Sequence, residues 1–107
     1  MSQHVRELTP VVITLKSLRP KDRRTLVEGL NSKHMRGMTE LAVNIVKNSV
    51  PLSPQEELAC RRWRKSLRML ALKRYPIKKK KVILQKGGFL GAILPVLASV
   101  LGSVING

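Results

Sequence analysis

Eleven cationic side chains fall between positions 61 and 81: Arg61, Arg62, Arg64, Lys65, Arg68, Lys73, Arg74, Lys78, Lys79, Lys80 and Lys81. Their chemistry is phosphate neutralisation. Each contact to a polyanion releases condensed counterions, so about ten contacts make binding steeply dependent on salt. The plainer meaning of such a run is a solvated charged face. The aromatic residues are Trp63, Tyr75 and Phe89, too few for the platforms on which single-stranded bases stack. Backbone electrostatics on a duplex fits the composition better. No other residues combine into a reactive set. His4, His34 and Cys60 are isolated in sequence, whereas a metal site needs three or four such ligands. No paired carboxylates, Ser/His/Asp or Cys/His arrangement or phosphate-binding Gly loop is present, so neither catalytic residues nor a cofactor is expected. Cys60 reads as a small apolar residue on a helix face.

The elements that must carry these cations follow from charge and hydropathy. The chain has 107 residues and a formal charge of +15, a balance that favours a polyanionic partner. Residues 1–50 hold nine basic and four acidic groups, residues 51–88 twelve and two, and residues 89–107 none of either. Residues 1–19, with Pro10 and the β-branched run Val11 to Thr14, read as an extended or partly disordered arm. Residues 20–76 read as a basic helical module of three helices. The first opens on Pro20 and carries Leu26 and Leu30 on one face. The second bears the stripe Met35, Met38, Leu41, Ala42, Ile45 and Val46. The third starts at Ser53-Pro54 with Glu56 completing a capping box, and runs to about Tyr75 before Pro76. Its inward face is Cys60, Trp63, Leu67, Leu70 and Ala71, with the arginines on another.

Residues 77–88 read as a basic hinge closed by Gly87-Gly88. Residues 89–107 read as a separate apolar helix. Phe89, Leu90, Ile93, Leu94, Leu97 and Leu101 are its membrane-contacting candidates, and Gly91, Pro95, Ser99, Gly102 and Ser103 share a small-residue face. The competing reading is a core helix of the same domain, which the Gly-Gly joint and the charge-free circumference disfavour. The segment is also short for a bilayer span of about 20 residues. The fold class expected is all-α: a small three-helix cluster, a basic linker and a C-terminal apolar helix.

A basic block, then Gln85-Lys86-Gly87-Gly88, then an apolar block beginning at Phe89 resembles the precursor of adenovirus core protein X and related proteins of adintoviruses and Polinton-type elements. The resemblance covers mainly residues 78–107. In that family a maturation protease cuts after Gly-Gly when Met, Ile, Leu, Asn or Gln stands two residues before the pair. The resemblance therefore implies a cut between Gly88 and Phe89, with Gln85 in the recognised position. It also implies a basic product that binds viral DNA, a viral protease and capsid proteins as partners, and residence in the virion and, during assembly, the host nucleus. The released tail would resemble membrane-active peptides that begin Phe-Leu. The expectation is a non-enzymatic virion core or minor capsid precursor with sequence-tolerant DNA binding. The alternative is a membrane-associated protein anchored, or perturbing membranes, through residues 89–107. A double-glycine leader of a secreted antimicrobial precursor fits less well, because such leaders are short and less basic.

Overall fold

At the N-terminus a stripe decides the conformation: Val5, Leu8, Val12 and Leu15 recur at spacings of three and four, and all four are buried. They form the inward face of helix α1 (Gln3–Ser17), which replaces the extended arm expected for residues 1–19. Ser2 caps the helix, its hydroxyl accepting from the Val5 amide at 3.2 Å. Pro10 stands inside it without an N–H, and the Pro10 carbonyl accepts from the Thr14 hydroxyl at 2.8 Å. The β-branched run costs roughly half a kcal/mol per residue in helix propensity. Burying an aliphatic side chain returns about 1.5–3 kcal/mol, so packing overrides propensity. The structure, a computed structural model, describes residues 2–47 and 50–106, with side chains described to Ser103. Met1 of the expected arm and Gly107 of the expected tail lie outside the described residues.

The next two helices follow their sequence signals. Helix α2 (Pro20–Glu28) opens on its proline. Helix α3 (Ser32–Val46) is capped reciprocally: the His34 amide donates to Asn31 Oδ1 at 2.8 Å, and the Asn31 amide to His34 Nδ1 at 3.3 Å. Gly29 ends α2, and Asn31 starts α3 two residues later. Met35, Met38, Leu41, Ala42 and Ile45 are buried between α1 on one side and the helix after Trp63 on the other. Gly37 marks the crossing with α1. A Cβ there would stand 2.5 Å from the carbonyl oxygen of His4 and 3.3 Å from Leu8 Cβ.

The helix expected from Ser53 to Tyr75 is two. Helix α4 (Pro54–Arg62) has the predicted capping box, with the Glu56 amide on Ser53 Oγ at 3.2 Å and the Ser53 amide on Glu56 Oε1 at 2.9 Å. Trp63 leaves helical geometry at φ −106°, ψ 22°, and helix α5 (Arg64–Ala71) resumes with Ser66, Leu67 and Leu70 buried. The break lets the indole meet Phe89 edge-on, with ring centroids 5.4 Å apart and planes at 88°, a favoured aromatic arrangement. The expected hinge 77–88 is largely helix α6 (Ile77–Leu84), followed by a tight turn.

Helix α7 (Phe89–Asn106) is a distinct apolar helix, but it is not detached: it packs against α1, α3 and α4. Phe89 is 0% exposed and Leu90, Ile93, Leu94, Val96, Leu97, Val100 and Leu101 are buried. The six side chains expected to meet lipid are therefore core residues in the folded chain. The physical reason is the small-residue face. Gly91, Pro95 and Ser103 turn to solvent, so the helix exposes little apolar surface although it bears no charge. Gly88 supplies the sharp entry at φ +84°, a left-handed conformation that suits glycine. Among the described residues no single helix is long and apolar enough to cross a membrane. The bent pair α6 and α7, turned by 103°, meets that test only jointly.

Candidate nucleic-acid interface

The capping box and the Trp63 break set the phase of α4 and α5, and the phase sets which cations face outward. Arg61, Arg62, Arg64, Lys65 and Arg68 are exposed, as are Lys73, Arg74, Lys78 and Lys79. Arg61, Arg64 and Arg68 come together at the mouth of a cleft of about 430 Å³ whose floor includes Ile45, Leu52, Cys60 and Leu67. Glu57 is the carboxylate at its edge. Among the described residues the ion pairs are His4 with Glu40 at 3.7 Å and Arg19 with Asp22 at 3.6 Å. None of the eleven cations expected to touch phosphate is paired with a carboxylate in that set.

The lysine run does not act as one block. Helical phase puts Lys80 on the side of Ile83 and Leu84, and it is 3% exposed. Its Nζ donates to Thr39 Oγ1 at 2.6 Å, and burial pushes the ammonium's pKa below its ordinary value. Lys80 is thus removed from the expected phosphate-contacting set, because a buried amine cannot reach a duplex lying on the surface. Lys81 is half-buried and donates to the Glu28 carbonyl at 2.8 Å. There it satisfies the C-terminal end of α2, where a cation also complements the helix dipole. Lys79 lies 5.8 Å from the centre of the Tyr75 ring, within cation–π range. Lys78 and Lys79 remain as the outward pair of the run.

Around the expected cleavage point, Lys86, Gly87 and Gly88 are exposed. Gln85 is half-buried and its side-chain amide donates to the Arg24 carbonyl at 3.1 Å. Phe89 is enclosed beneath Trp63. The five residues form a closed turn, with the Phe89 amide on the Lys86 carbonyl at 3.1 Å, not an extended linker. A protease that reads an extended strand would have to open this turn.

Other reactive types have structural duties. His34 caps α3, and His4 faces Glu40, whose second oxygen accepts from the Ser2 hydroxyl. Cys60 is half-buried. Desolvation, and then the carboxylates of Glu56 and Glu57, push its thiol pKa up, which leaves it a weak nucleophile at neutral pH. Among the described residues no three His, Cys, Asp or Glu side chains gather to hold a metal ion. The sequence reading missed Arg36, Thr39 and Tyr75, which join Lys73 and Lys80 around a second cleft of about 360 Å³. No local pattern marks them, since Arg36 and Thr39 come from α3 and Tyr75 from the segment after α5. Comparison with protein-family models, with curated proteins and with solved structures finds no match for this chain.

Proposed function

We propose that the chain is a sequence-tolerant DNA-binding protein of a virion core or minor capsid, acting through the exposed cations that run from the end of α4 to the start of α6. The observation that carries this reading is nine exposed cations in residues 61–79 with no carboxylate partner among the described residues. Such a surface repels itself and gains most from a polyanion. A duplex backbone suits it better than unstacked bases. Trp63 and Phe89 are committed to each other, and the remaining aromatic residue, Tyr75, is a single ring, so no row of rings is left on which successive bases could stack. The body measures 30 × 29 × 28 Å, the length of roughly nine base pairs at about 3.4 Å each.

The placement in a virion is supported by the resemblance of the Gln85-to-Phe89 layout to a virion precursor, and by the exposure of Lys86 to Gly88. Viral protease and capsid proteins are the partners that go with it. Because α7 fills the core, a cut after Gly88 would nick the protein without releasing the tail. The DNA-binding reading is tested by fluorescence anisotropy with a labelled duplex and an unlabelled competitor of unrelated sequence. The competitor should displace the label at the same concentration as the cognate duplex. A competitor that fails to displace it refutes sequence tolerance, and absence of binding at low salt refutes the function. The virion reading is tested by intact mass of the protein from its native particle, where a chain ending at Gly88 together with a co-purifying tail is expected. An uncut chain removes the precursor reading.

A further inference from the structure

The second cleft has a feature that a solvated surface would not produce. Lys80 forms part of its wall although it is buried on the side of Ile83 and Leu84, where an apolar residue would pack at no electrostatic cost. Taking an ammonium out of water is unfavourable unless it is paired, and Lys80 donates instead to the neutral hydroxyl of Thr39 at 2.6 Å. Two further cations, Lys73 and Arg36, line the same cleft. The carboxylate there is Glu40, which is engaged by the Ser2 hydroxyl and lies 3.7 Å from His4. Cationic charge therefore exceeds anionic charge around a recess of about 360 Å³, a volume typical of small-molecule sites. Tyr75, Met35 and Ile77 add aromatic and apolar surface to the lining.

We propose that this cleft is a binding site for a phosphate monoester carried on a planar, partly apolar body, that is, a nucleotide phosphate. Lys80 and Thr39 donate to the phosphate at the base of the cleft, Lys73 and Arg36 neutralise its remaining charge, and Tyr75 lies against the base. A free mononucleotide and the 5′-phosphorylated end of a strand present the same group. The site shares Lys73 with the proposed duplex face but none of Arg61, Arg64 and Arg68, which line the other cleft, so variants of those arginines separate nucleotide binding from duplex binding.

The test is isothermal titration of the full chain with deoxyadenosine monophosphate and, in parallel, with deoxyadenosine. The nucleotide is expected to bind and the nucleoside not. Lys80→Met should weaken the nucleotide by about tenfold or more, the effect of losing a hydrogen bond from a charged donor. Arg64→Gln/Arg68→Gln should leave it unchanged. Lys73→Gln on the exposed rim and Thr39→Val provide the same readout should Lys80→Met perturb folding, and each should weaken binding severalfold. Competition with duplexes bearing 5′-phosphate or 5′-hydroxyl ends then separates the sources. Displacement by the phosphorylated end alone identifies a strand terminus, displacement by neither identifies the free nucleotide, and equal displacement by both overturns the proposal, because the terminal phosphate is then not what the cleft reads. No nucleotide binding at millimolar concentration overturns the proposal. So does a loss seen in the arginine variant but not in the cleft variants, which would assign the binding to diffuse surface charge.

Discussion

Replacing Gly37 by alanine separates two opposing forces in one substitution. Alanine is the better helix former by about 1 kcal/mol, so local propensity alone predicts that Gly37→Ala stabilises α3. The crossing with α1 predicts the reverse. The new Cβ would lie 2.5 Å from the His4 carbonyl oxygen and 3.0 Å from its carbon, whereas ordinary contact begins at 3.4 Å. Backbone cannot rotate aside as a side chain can, so α1 and α3 must part by most of an ångström. A gap of about 0.5–1 Å forfeits a quarter to a half of the dispersion attraction across an interface. The affected interface holds Val5, Leu8, Met35 and Met38, all buried. Overpacking costs about 1–3 kcal/mol, and the upper end applies here because backbone must move; after the propensity gain the net loss should be about 2 kcal/mol. For a domain of this size that lowers Tm by about 8–16 °C. Gly102→Ala is the internal control. No atom lies within 4 Å of a Cβ placed there, so it should raise Tm slightly. Thermal unfolding followed by circular dichroism reads both. If Gly37→Ala melts at or above the unmodified protein while Gly102→Ala behaves as stated, the helices do not cross at this point and the account of α1 is wrong.

Phe89→Ala should cost about 3–5 kcal/mol, the usual penalty for emptying a buried aromatic site, and should red-shift Trp63 emission as the indole loses its neighbour. A tail detached from the core would leave both Tm and emission unchanged. Arg61→Gln/Arg64→Gln/Arg68→Gln should keep Tm within about 1–2 °C, since exposed substitutions shift stability little, and yet weaken duplex binding strongly at low salt. Acid sensitivity should trace in part to Glu56. The Ser99 hydroxyl first, and then the Ser53 amide, hold its carboxyl below the ordinary value of 4.5. A carboxyl whose folded pKa is depressed contributes stability above its unfolded pKa, and that contribution is lost as pH falls through the folded value. Tm measured between neutral pH and about pH 3 should therefore fall less steeply in Glu56→Gln than in the unmodified protein; parallel curves would refute the assignment.

What was legible in the sequence is what local chemistry determines. Ser53, Pro54 and Glu56 announced the start of α4, and the Met35-to-Ile45 stripe announced α3, because caps and periodicity act within a few residues. Helix α1 was hidden by Pro10 and the Val11-to-Thr14 run, although Val5, Leu8, Val12 and Leu15 already carried the helical period. Its helicity depends on α3 being there to cover that stripe. The place of α7 was hidden for a related reason. A charge-free helix is expected to lack a solvent face, yet glycine, proline and serine make one without charge, and Gly88 redirects the chain into the core where a flexible joint was expected. Lys80 illustrates the limit for the site. Its composition matches that of Lys78, Lys79 and Lys81, and only the helical phase set by Ile83 and Leu84 turns it inward to Thr39.

The measurement that bears most directly on the proposed function is the salt dependence of duplex binding. With about six to nine of the exposed cations meeting phosphates, log K against log salt should fall with a slope of about −5 to −8, and the triple arginine variant should flatten that slope by about 3. A slope near zero, or one unaltered by the three substitutions, would contradict the assignment of α4 and α5 as the face that binds nucleic acid.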